Sequence, residues 1–174
     1  MPEIKLVRPD ESYAAQYISY RDELLAAGSS MDGAGPIRRI ADPLEWLAEI
    51  NKYENPATIP ENFVRATQFL AVRPDNHLVG MIQVRHYFND FLEKYAGHIG
   101  YSVRPSERRK GYATAMLAAV LPFCRQIGLN RILISCLIGN EASRRTILRN
   151  GGVYESTVFY PKANEYLERY WITL

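Results

Sequence analysis

The chain has 174 residues, 47% apolar and 23% charged, which suits one domain with its own core and excludes a disordered chain. Its 21 basic and 19 acidic residues leave a net charge of +2, so a nucleic-acid binder working by bulk charge is excluded and any basic site is local. No apolar run reaches the roughly 20 residues that span a bilayer.

The start, MPEIKLVRPDE, lacks the apolar core of a signal peptide. The expectation is a cytoplasmic protein with neither a nucleic-acid nor a membrane partner. Cys124 and Cys136 sit in apolar stretches and read as reduced core thiols, and no metal-ligand spacing occurs. Residues 4–8 alternate apolar and polar side chains and predict a first strand, ended by Pro9. Asp10 or Ser12 caps a helix in which Tyr13, Tyr17, Tyr20 or Arg21, Leu24 and Leu25 recur at helical spacing, and Gly28 stops it. Residues 28–38 form a Gly-rich loop. Asp42 caps a second helix, with Pro43 at its first position and Leu44, Leu47 and Ile50 along one face. Residues 55–62, with Pro56 and Pro60, form another loop.

From Thr67 the period becomes that of strands. Residues 68–73 and 77–87, joined by the turn Pro74-Asp75-Asn76, predict an antiparallel hairpin. A strand at 97–103 precedes an amphipathic helix at 110–127, with Met116, Val120 and Cys124 on its apolar face. Pro122 predicts a kink or an early end there. Residues 131–138 are a continuous apolar run, read as a buried strand parallel to a neighbour. Residues 140–150 form a helix closed by Gly151-Gly152, and 153–160 with 166–173 make a final strand pair. The fold class is α/β (α+β): one domain over residues 1–174, with a mixed, mostly antiparallel twisted sheet flanked by helices.

The chemical signal lies in residues 99–114, IGYSVRPSERRKGYAT. The strand ends at Val103, Pro105 breaks it, and a helix starts near Arg109. Arg108, Arg109 and Lys110 crowd the helix start, where the macrodipole disfavours each cation by roughly 0.3–1 kcal/mol. A bound anion removes the conflict, because first-turn N–H groups and cationic side chains then share one target. Gly111 and Ala113 leave room for a phosphate to reach the backbone. The P-loop pattern and the dinucleotide pattern Gly-x-Gly-x-x-Gly are both absent. A solvated basic turn is the alternative.

Val103-x-Pro105 followed by Arg108-Arg109-Lys110-Gly111-Tyr112-Ala113 resembles the coenzyme A-binding motif of the GNAT superfamily of acyl-CoA N-acyltransferases. The order of elements resembles that family over nearly the whole chain. The resemblance implies a GNAT-like fold and acetyl-CoA as co-substrate, without a metal. It implies a cofactor site from Arg108 to Thr114, with the backbone N–H groups of Arg109 to Ala113 on the pyrophosphate. It also implies a pantetheine arm along Tyr101–Val103 at a splayed strand edge. Asn140-x-x-Ser143 reads as a helix N-cap; the resemblance adds that Asn140 contacts the pantetheine and that Ser143 lies near the cofactor. Arg144 and Arg145 either reach the phosphates or face solvent. The chain departs from the family seven residues after Asn140, where Ile147 stands in place of the Tyr that protonates the leaving thiolate. The general acid is thereby unassigned.

Acetyl transfer needs a neutral amine, a polarised carbonyl and a route for one proton. The resemblance suggests a strand N–H near Tyr101 as the polarising donor. Histidine is the natural proton acceptor near neutrality. His98, on the strand leading into the motif, is the first candidate, followed by His86 and Glu93; His77 lies in a turn. Each strand histidine also reads as a half-buried group satisfied by backbone. Residues 85–90 line an acceptor site with the 28–38 loop, where Asp32, Asp90 and Glu93 attract a cationic amine, or else form an exposed connection. The expected function is transfer of an acetyl group from acetyl-CoA to a primary amine of a small molecule or peptide. The alternatives are a non-catalytic CoA-binding regulatory module, which Ile147 favours, and a binder of another nucleotide phosphate. The final hairpin offers an edge for a homodimer.

Overall fold

A computed structural model describes residues 1–174. Four strands, β1 (Lys5–Val7), β2 (Ala66–Val72), β3 (Leu78–Arg85) and β4 (Ile99–Val103), form one antiparallel sheet in the order β1-β2-β3-β4. Three more, β5 (Arg131–Leu137), β6 (Val153–Tyr160) and β7 (Glu165–Thr173), form a second sheet in the order β5-β7-β6. Helices α1 (Ala14–Ala26) and α2 (Pro43–Asn51) cover one face of the first sheet. Helices α3 (Tyr112–Gln126) and α4 (Glu141–Arg149) pack on the other side and join both sheets in the larger core.

Strand alternation builds both cores from one strand. Along β2, Phe69 and Ala71 enter the core under α3, while Leu70 and Val72 enter the core under α1 and α2. Every residue of β2 is therefore buried. The expected cap of α2 forms, with Asp42 Oδ1 accepting from the N–H groups of Leu44 and Glu45. Its buried face differs from the expected one: Trp46 and Ile50 point inward and Leu44 is exposed. The i, i+4 pair is set by the indole, which donates to Ala34 O at 2.9 Å and packs on Tyr17. Asp10 caps a short 3-10 turn, Glu11–Tyr13, ahead of α1.

Three further expectations change. Helix α3 starts at Tyr112 rather than near Arg109, because Arg109 (φ 63°) and Gly111 (φ 86°) are left-handed and cannot join a right-handed helix. It runs through Pro122 to Gln126, so the early end does not occur. Strand β5 is buried as expected, but its ladder partner is β7 and the pairing is antiparallel. A continuous apolar run reports burial of both faces, and says nothing about the direction of the neighbour.

The two sheets meet at one bridge, Gly97 to Ile134. There the His98 N–H donates to Leu133 O at 2.8 Å, and the Leu133 N–H donates to His98 Nδ1 at 2.9 Å. The imidazole thus takes the N–H that a continued ladder would have engaged. Beyond this point the sheets part, and β4 becomes an open edge. Cys124 and Cys136 are buried free thiols. No helix is long and apolar enough to cross a membrane.

Candidate active site

The open edge of β4 faces the gap in front of β5. The Arg104 N–H donates to Val79 O, so the ladder bonds to β3 fall at Arg104, Ser102 and Gly100 by antiparallel alternation. Tyr101 and Val103 then turn their backbone groups outward. The guanidinium of Arg108 takes one of them, Nε donating to Val103 O at 3.1 Å.

The loop from Arg104 to Gly111 connects this edge to α3 and is braced from two sides. On the α1 side, Glu23 accepts from Arg104 Nη1 at 3.2 Å, from the Ser106 N–H at 3.2 Å and from Ser106 Oγ at 2.8 Å. On the hairpin side, buried Glu107 pairs with Lys110 at 2.9 Å and lies 3.6 Å from both Arg73 and His77. The Lys110 bond holds the Glu107 carboxyl below the usual carboxylate range. Arg108 Nη2 also donates to Ser29 Oγ at 2.8 Å. Lys110 and Arg108 therefore already have partners, while the Arg109 guanidinium has none.

The backbone N–H groups of Arg104, Ser106, Glu107 and Arg108 are paired, but those at the end of this loop are not. From Arg109 to Gly111 no N–H finds a protein acceptor. Those of Tyr112, Ala113 and Thr114 open α3, which has no side-chain cap. Gly111 is left-handed, and a Cβ on it would lie 3.2 Å from the Pro2 ring. The result is a run of N–H dipoles at a helix N-terminus with an unpaired guanidinium among them, an arrangement suited to a phosphate.

Facing the gap, the Tyr101 hydroxyl and Ser143 Oγ are 2.7 Å apart. Burial pushes the Tyr101 phenol up to about 12, so it stays protonated across the neutral range. Asn140 caps α4 through the Ser143 N–H at 3.1 Å, which fixes Ser143 opposite Tyr101. Ile147 is fully buried in the larger core and offers no polar group. Arg144 pairs with Glu141 and Glu168, and Arg145 with Glu141, so neither joins the loop.

The three candidates for proton acceptor stand apart from one another. His98 is 5% exposed, packed against Phe88, with Nδ1 already accepting a hydrogen bond. Burial, and then Arg85, lower its pKa to about 4, which makes it a poor base at neutral pH. His86 lies on the α3 side beside Phe123, Nε2 within 2.8 Å of Thr67 Oγ1, and burial followed by Arg65 lowers its pKa. Glu93 is exposed on a π-helical turn, Leu92–Ala96.

The family model of the acetyltransferase (GNAT) domain matches residues 8–153. The chain belongs to the GNAT acetyltransferase family. A curated relative, the uncharacterized N-acetyltransferase YnaD of Bacillus subtilis, is 27% identical over 108 residues, 59% of this chain. That match spans 60% of the relative's own length. The fold is similar to that of RimL, a ribosomal L7/L12 α-N-protein acetyltransferase solved with coenzyme A, with a TM-score of 0.71 at 18% identity, covering 98% of this chain and 94% of RimL. It is also similar to the microcin C7 self-immunity acetyltransferase MccE solved with acetyl-CoA and AMP, with a TM-score of 0.74 at 17% identity, covering 99% and 93%.

Within this GNAT chain, sequence reasoning missed the residues that brace the loop. Glu23 and Arg104 are 81 positions apart, and Ser29 and Arg108 are 79 apart. No local pattern links either pair. Arg104 alone carried a signal: an arginine just past the strand end, at a position of inward parity.

Proposed function

We propose that the chain transfers the acetyl group of acetyl-CoA to a primary amine of a small molecule or peptide. The observation that carries this reading is the run of unpaired N–H groups from Arg109 to Thr114 beside the open edge of β4. A pyrophosphate fits there, held by those N–H groups and by Arg109. A pantetheine amide fits the outward backbone groups of Tyr101 and Val103, near Asn140 and Ser143. RimL and MccE, solved with coenzyme A and acetyl-CoA, support the choice of ligand.

The thioester supplies an activated acetyl group. The Tyr101 N–H is oriented to polarise its carbonyl, as a fixed donor aimed where charge develops. As the amine nitrogen bonds to the acetyl carbon and the C–S bond breaks, the sulfur takes a proton from the Tyr101–Ser143 hydroxyl pair, which regains one from solvent. That pair stands where Ile147 leaves the family's usual acid missing. With His98 engaged by Leu133, the amine proton leaves to solvent at the mouth of the site.

A second reading, a CoA-binding regulatory module without turnover, is favoured by Ile147. Thiol release from acetyl-CoA in the presence of a panel of primary amines separates the two, with CoA affinity measured by calorimetry. The expected result is turnover by the wild type and a kcat lower by about 100-fold in Tyr101→Phe, with CoA affinity kept. CoA binding with no thiol release from any amine would establish the regulatory module. No CoA binding at all would end both readings.

A further inference from the structure

On the α1/α2 face of the first sheet, under the 28–38 loop, polar groups replace the apolar core. Gln68 faces Gln83, and Gln83 faces Gly100 across the ladders. The loop is seated on them: Gln68 Nε2 donates to Gly33 O at 2.7 Å, and a Cβ on Gly33 would lie 2.0 Å from Gly100 O. Arg85, two residues beyond Gln83, shares this face. Its Nη2 lies 3.1 Å from where a Cβ on Gly100 would stand, one residue from Tyr101.

Arg85 is under-satisfied. Its hydrogen bonds come from Nη1 alone, to Ala96 O and Gly97 O, and both are long at 3.4 Å. Nε and Nη2 have no protein acceptor, and no carboxylate pairs with the guanidinium. Arg85 is half-buried and these nitrogens are not shut off from solvent, so a ligand entering from solvent can reach them. The vacant Nε/Nη2 edge is the fork that matches a carboxylate or phosphate in bidentate fashion. Asp32, directly before Gly33, is an opposing charge whose field acts on Arg85. The same carboxylate raises the Tyr101 and Tyr160 phenols, after burial as the main cause. An acid and a base thus flank the Gly100–Tyr101 segment, unjoined to each other.

We infer that Arg85 binds an anionic group of the acceptor, so that the substrate class is a primary amine carrying a carboxylate or phosphate a few bonds from its nitrogen. Asp32 draws the ammonium end toward Tyr101, and Arg85 fixes the other end. The inference rests on the acetyl-transfer reading above.

The test uses the full chain saturated with acetyl-CoA and matched acceptor pairs. These are α- and ω-amino acids against their carboxamides, and an aminoalkyl phosphate against the corresponding amino alcohol. The wild type is expected to favour the anionic member by at least about 10-fold in kcat/KM. Arg85→Gln should bring that ratio near one, mainly through KM for the anionic member, and Arg85→Lys should recover part of it. The carboxylate and phosphate arms show which anion is used. Equal use of both members, turnover of uncharged members alone, an unchanged ratio in Arg85→Gln, or no acetylation of any member would overturn the inference. Calorimetry with acetyl-CoA on the same proteins tells this failure from failure of the acetyl-transfer reading, since Arg85→Gln should leave that affinity within about two-fold. Thermal melting of the Gln and Lys variants checks that both are folded.

Discussion

Burial at the sheet junction, and then Arg85, lower the His98 pKa to about 4, and its Nδ1 accepts from the Leu133 N–H. Its folded pKa lies below the unfolded value, so the unfolded chain takes up the proton first as pH falls. Stability from this group is full above about pH 6.5, is lost as pH falls toward 4, and is constant below. His98→Asn keeps an acceptor near the Nδ1 position and removes the titration. Between about pH 7.5 and about pH 5 the wild type should lose about 2 kcal/mol more stability than this variant, measured by urea unfolding. Equal losses would show that His98 is not buried in its neutral form. The same experiment bears on catalysis, because a histidine that holds two strands together is unsuited to shuttling protons.

At the scale of elements, the proposed cofactor site consists of β4, its loop and the first turn of α3. Its strand end and the helix after it were legible because the causes are local: Pro105 ends the strand, and the apolar period of the helix follows. The left-handed Arg109 and Gly111 were not legible, since apolar periodicity carries no sign of φ. Nor was the direction of β5, because an apolar run reports burial alone and its ladder partner, β7, comes later in the chain. The bracing by Glu23 was invisible for a related reason, its partners lying 81 and 83 positions on. Glu23→Ala would leave Arg104, 5% exposed, without its carboxylate. A loss of about 2–3 kcal/mol is expected in urea unfolding, with acetyl-CoA bound several-fold more weakly because the loop loses its anchor. Glu23→Gln keeps an acceptor for Ser106 and should recover part of both. Unchanged affinity in Glu23→Ala would show that the loop holds its shape without α1.

At the scale of the whole molecule, two antiparallel sheets joined at one bridge create a cleft whose walls differ. One wall is the β4 edge with its outward backbone groups; the other is β5 with the capped start of α4. The α3 N-terminus closes one end, and the 28–38 loop covers the opposite face of β4. In the reaction we propose, cofactor and acceptor meet at this one strand from opposite sides. This arrangement depends on the loop between Val103 and Tyr112 presenting its N–H groups to a phosphate. The most direct measurement is an amide ¹H–¹⁵N correlation spectrum of the chain titrated with coenzyme A, with ATP in parallel. The account predicts that the amides of Arg109 to Thr114 shift most with coenzyme A, and that ATP leaves the Tyr101 and Val103 amides in place. Saturable coenzyme A binding with the Arg109 to Thr114 amides unmoved would contradict it.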